Sequence, residues 1–104
     1  MTARTARLAV AALSLLATPA AALPFQQERA IAFAQMARDC GAKVEEPAEL
    51  FTDDAVEFRA MVKSTYPKTF AKRSPANRAA ACAVTFETSR KDAAKLGLLI
   101  VWPN

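Results

Sequence analysis

From Phe25 to Cys40 apolar side chains return at steps of three and four: Ala30, Phe33, Ala37 and Cys40, widened by Ala34 and Met36. This is the period of an amphipathic helix, with Gln27, Arg38 and Asp39 on the wet side. Pro24 is tolerated at such a start because its missing N–H would have had no partner there. Gly41 suits a left-handed cap at the end. The segment from Ala42 to Leu50 has no clear period and contains Pro47, so it reads as a loop.

A second helix is expected from Thr52, which can cap it. Asp53 and Asp54 complement the positive end, and Phe51 is placed to pack on Val56 as a staple. Phe58, Met61, Val62 and Thr65 form its predicted buried stripe, and Pro67 is expected to stop it by pushing Tyr66 out of the helical region. After a connector from Tyr66 to Arg73, Ser74-Pro75 supplies a capping hydroxyl and a first-turn proline. The third helix then runs from Pro75 to about Arg90, with Ala79, Cys82, Ala83 and Phe86 on its predicted inner face. It either stops at Ser89, which would cap a short fourth segment to Lys95, or continues to Leu96. Gly97 ends helical structure, and Leu98 to Trp102 is a continuous apolar pentapeptide, strand-like and too short to cross a membrane.

These patterns predict an all-α fold: three to four helices stapled by one disulfide, with a short extended apolar C-terminal tail. Alanine lines the expected inner faces of both the first helix (Ala30, Ala34, Ala37) and the third (Ala79, Ala80, Ala83). Small side chains let helices approach closely, which suits a bridge between Cys40 and Cys82.

The N-terminus changes the compartment in which those cysteines are read. Arg4 and Arg7 precede an apolar run from Leu8 to Ala17, and Ala20-Ala21-Ala22 offers the small residues a signal peptidase requires. The expected organisation is a signal peptide at 1–22 and a single small helical domain at 23–104. Such a protein is periplasmic or secreted, with no membrane span in the mature chain. In an oxidising compartment Cys40 and Cys82 are expected to pair, which suits a domain too small to rely on its core alone.

Removing Arg4 and Arg7 lowers the formal net charge from +4 to +2, so nucleic acid is not an expected partner. The remaining charge is segregated. Glu45, Glu46, Glu49, Asp53, Asp54 and Glu57 form an acidic run, followed by Arg59, Lys63, Lys68, Lys72, Arg73 and Arg78 with no acid among them. The two runs are expected to face each other within the molecule.

The chain contains no histidine. That excludes a Ser-His-Asp or Cys-His arrangement and removes the commonest metal ligand. No C-x-x-C motif or calcium-loop pattern occurs, and no cofactor or metal is implied. Binding therefore ranks ahead of catalysis. The candidate partner-binding residues are the bases Lys63, Lys68, Lys72 and Arg73, interleaved with Tyr66 and Phe70, and the tail residues Leu99, Ile100 and Trp102. The expected partner is another envelope protein, with the chain as an accessory or chaperone-like factor. In size, export and helical single-disulfide architecture it resembles the small acid-stress chaperones of the periplasm. The alternatives are a small enzyme built on carboxylates such as Glu49 and Asp53, or a structural component of the envelope.

Overall fold

The structure is a computed structural model and describes residues 24–103. The expected signal peptide and its cleavage site lie outside these residues. Helix α1 spans Phe25–Asp39, strand β1 Lys43–Glu45, helix α2 Val56–Ala71, helix α3 Pro75–Asp92 and strand β2 Leu99–Val101. Short 3-10 turns at Ala48–Leu50 and Asp53–Ala55 fill the path from β1 to α2. The protein is mostly helical, as its periodicity predicts, with three helices and one disulfide, and it adds a small two-stranded sheet to them. The expected loop after Gly41 contains β1, and the tail pairs with it as β2 in an antiparallel sheet, Val44 opposite Ile100.

Both strands follow the same kind of helix exit. Gly41 (φ 93°) and Gly97 (φ 76°) adopt the left-handed conformation that costs glycine least. After α1, the N–H of Gly41 donates to the carbonyl of Arg38 and that of Ala42 to Ala37; after the last turn beyond α3, Gly97 donates to Ala94 and Leu98 to Ala93. Each is a Schellman closure, which satisfies the terminal carbonyls and turns the chain sharply away from the helix axis.

Ala30, Ile31, Phe33, Ala34, Leu50, Ala55 and Leu98 form the buried core cluster, with Val44, Phe58 and Ile100 packed against it. The disulfide joins Cys40 at the end of α1 to Cys82 within α3, Cα to Cα 5.6 Å. Ile31 and Gln35 lie beside Val56 and Val62, whereas Met36 and Cys40 lie beside Thr65 and Phe70. Helices α1 and α2 therefore run in the same direction. Gln27 and Ala30, near the start of α1, adjoin Asp92 and Leu96. With Cys82 opposite Cys40, α3 runs antiparallel to α1.

Three local expectations are corrected. Pro67 does not stop α2, which continues to Ala71 and closes with the N–H of Lys72 on the carbonyl of Lys68. Proline forfeits one helical hydrogen bond but leaves φ helical, and the extra turn carries Phe70 to a cleft beside Met36 and Cys40. Thr52 makes no side-chain cap; its carbonyl instead accepts the N–H of Ala55 in a 3-10 turn. Finally, Ala79, Ala80 and Ala83 face solvent, and Phe86 remains 39% exposed, while Thr85 and Ser89 are buried. The bridge holds Cys82 against the end of α1 but does not by itself choose between these faces. Cys82 lies between the two, and the helix is turned about a quarter of a turn from the alanine side, with Trp102 donating to Ser89 Oγ on the buried side. Ser74 caps α3 as expected, its Oγ accepting the N–H of Asn77 at 3.1 Å.

Candidate functional site

Glu46, just after β1, sits where α1 and α2 come together. Its side chain is only 2% exposed and is held by two guanidinium groups. Arg59 of α2 donates to both carboxylate oxygens, at 2.5 and 3.3 Å. It also donates to the carbonyl of Leu50 through Nε and Nη2. Arg38 of α1 approaches the same carboxylate at 2.9 Å and donates to the carbonyl of Val44. Burial alone would raise the pKa of Glu46, but hydrogen bonds and charge from Arg59 and Arg38 outweigh it and hold it below the ordinary carboxylate value. The Phe51 ring lies on the Arg59 guanidinium, 3.9 Å from its carbon to the ring centroid, a stacked cation–π contact.

Above this cluster a groove of about 580 Å³ runs between α1 and α2, within the size range of ligand clefts. Ile31 and Val62 form its buried floor. Phe51 and Val56 form an apolar rim, 61% and 60% exposed. These are the two residues expected to make a staple. They line the same groove but bury little of each other, because the 3-10 turn at Asp53–Ala55 separates them from a regular helix start.

The acidic and basic runs do not face each other as expected. Among the described residues Glu46 is the one member of the acidic run in an ion pair, and Arg59 the one member of the basic run. Arg78 instead donates to the carbonyl of Arg73, stitching the turn between α2 and α3. Glu49 and Asp53 are exposed on separate 3-10 turns and do not line the groove.

The candidate partner-binding residues are dispersed. Lys63 lines the groove at Glu46, and Lys68 and Lys72 are exposed near the end of α2. Arg73 borders a second cleft of about 310 Å³, formed by Met36, Cys40, Tyr66, Phe70 and Ala81 where the three helices meet. In β2 the alternation of a strand divides the apolar tail. Ile100 packs on the core, while Leu99 and Val101 point outward, 58% and 59% exposed. Trp102 rests edge-on against Phe86, centroids 5.4 Å apart, and donates from Nε1 to Ser89 Oγ at 2.9 Å.

Reading the sequence missed Arg38 and Glu46 as partners. The signal was present, since Arg38 belongs to the wet side of a predicted helix and Glu46 to the acidic run, but no local spacing connects the two. Among the described residues no helix is long and apolar enough to cross a membrane. No family model, no curated protein and no solved structure matches this chain.

Proposed function

We propose that this is an exported, periplasmic protein that acts by binding another envelope protein, as an accessory or chaperone-like factor, through the outer face of its small sheet. One observation carries this reading: Leu99 and Val101 stay more than half exposed on β2, although Leu98 and Ile100 beside them are drawn inward. Their cross-strand neighbours are Glu45 and Lys43, so an apolar pair is bordered by one charge of each sign. Such a surface is cheap to desolvate at its centre and can be oriented by its rim.

The strand also favours main-chain pairing. On the far side of β1, Arg38 already donates to the Val44 carbonyl. Among the described residues no hydrogen bond from another segment reaches the far side of β2. An extended segment of a partner can add there as a further strand, with Leu99 and Val101 giving it side-chain contacts.

A photo-crosslinking side chain placed at Leu99 in the exported protein tests this. We expect one discrete adduct that is absent when the same group replaces exposed Ala80 on α3, and lost when Val101 is changed to glutamate. An identical adduct from both positions, or none from either, rejects the sheet as the docking surface.

A further inference from the structure

We propose that the groove between α1 and α2 holds a single-chain anionic amphiphile, its charged head at the Arg38–Lys63 end and its hydrocarbon chain toward Ile31, Phe51 and Val56. The inference is independent of the sheet face. It begins with the direction of the two helices. Because α1 and α2 run the same way, their groove-lining residues follow the same order: Ile31, Gln35, Arg38 on one wall and Val56, Arg59, Lys63 on the other. Each wall advances seven residues, about 10 Å of helix. Each wall begins on an apolar residue and ends on a cation, with Val62 in the floor beside Lys63 and Phe51 stacked on Arg59 between the two ends. The exposed cations Arg38 and Lys63 are therefore gathered at one end of a groove whose apolar floor and rim run from Val62 to Ile31 and Val56.

Charge selects the sign of the ligand. Arg38, Arg59 and Lys63 face a single carboxylate, Glu46, so the lining carries two positive charges in excess. The Arg59 fork is occupied by Glu46 and Leu50. Arg38 commits one amino group to Glu46 and Val44 and keeps other N–H donors. Lys63 is exposed and makes no ion pair among the described residues. A carboxylate between Arg38 and Lys63 meets donors the fold has not used.

The walls favour a hydrocarbon chain over a peptide. Both are helices, whose backbone donors and acceptors are already paired, and the Gln35 amide is donated to Asp39 at 2.9 Å. An extended peptide would find few partners for its own backbone. An acyl chain needs none, and it would cover Phe51 and Val56, which the fold leaves largely in water.

Decanoate is the probe, titrated into the oxidised protein at neutral pH while the methyl signals of Ile31, Val56 and Val62 are followed by NMR. We expect saturable binding of one decanoate with shifts confined to the groove. Decanol and decyltrimethylammonium, which match the chain but not the charge, should bind at least about tenfold more weakly. Lys63→Glu should cause a similar loss. Lys63 is exposed, and an unchanged melting curve would show that the variant is folded; Val56→Glu serves as a second variant at the apolar end. Equal affinity for decanoate and decanol, retained affinity in both folded variants, or shifts scattered over the surface would overturn the proposal. So would failure of decanoate where an acidic amphipathic peptide binds, which would make the groove a protein-docking site.

Discussion

Glu46 is withdrawn from water yet remains charged, and the reason is two guanidinium groups on one carboxylate. It also joins three segments, since Arg38 belongs to α1, Arg59 to α2, and Glu46 itself follows β1. Removing one partner of a buried pair is costly mainly because the remaining charges lose their compensation. Arg38 and Arg59 are partly exposed, so Glu46→Ala should cost about 3 kcal/mol, at the low end for such sites. Urea denaturation at neutral pH measures this. The lowered pKa also predicts a direction with acid. Its contribution is full above the unfolded value of about 4.3, and it is lost as pH falls through the folded value. The wild-type urea midpoint should therefore drop with acid more steeply than that of Glu46→Gln. With no histidine in the chain, no step is expected between about pH 7 and 6. A wild-type profile that falls in that interval contradicts the account.

The elements show where local rules are obeyed and where they yield. Ser74-Pro75, Gly41 and Gly97 act as their chemistry predicts, because cap and Schellman geometries depend only on neighbouring residues. Pro67 is different. Nothing adjacent replaces the hydrogen bond it forfeits, yet α2 continues because Phe70 finds apolar neighbours a turn later. Pro67→Ala should then restore the N–H and raise stability by about 1 kcal/mol, the helix gain being reduced by lost ring contacts and a freer unfolded chain. A lower melting temperature in that variant would show that the ring contributes more than the missing bond costs. In α3 the disulfide substitutes for a strong apolar face. Cys82, Thr85 and Ser89 turn inward, and the hydroxyls satisfy themselves on the carbonyls of Ala81 and Phe86. With so little apolar area holding α3, Cys82→Ser should cost about 2–5 kcal/mol, seen as a large shift of the urea midpoint or as loss of the near-ultraviolet signal.

For the molecule as a whole, the C-terminal strand closes the core. Leu98 is buried, Ile100 packs on the same cluster, and Trp102 bridges to α3 through Phe86 and Ser89. Each such apolar side chain is worth about 1.5–3 kcal/mol when buried, against a typical margin of roughly 5–15 kcal/mol for a domain. Deleting the chain from Leu98 onward should therefore abolish cooperative thermal unfolding. A truncated protein that melts like the full chain would show that the tail serves docking alone. Leu99→Lys with Val101→Glu should leave melting nearly unchanged, because both side chains are more than half exposed and each new charge faces its opposite across the strands, Glu45 and Lys43.

The period of α1, the Ser74 cap, the exits at Gly41 and Gly97 and the pairing of two cysteines were legible in the sequence, because each depends on spacing along the chain or on an even count. Of the stripe expected in α2, Val62 is buried and Phe58 half-buried, while Met61 and Thr65 are exposed. Tertiary structure decided the rest. Val44 gains its strand partner from Ile100, fifty-six residues later, so a strand of three residues shows no pattern of its own. The face that α3 presents is set by contacts with Cys40 and with Trp102, about a quarter of a turn from the one its alanines suggest. Glu46 is chosen among six acids because the crossover between two parallel helices brings it to Arg38 and Arg59. The parallel course of those helices also decides that Arg38 and Lys63 share one end of the groove, which neither helix shows when read separately.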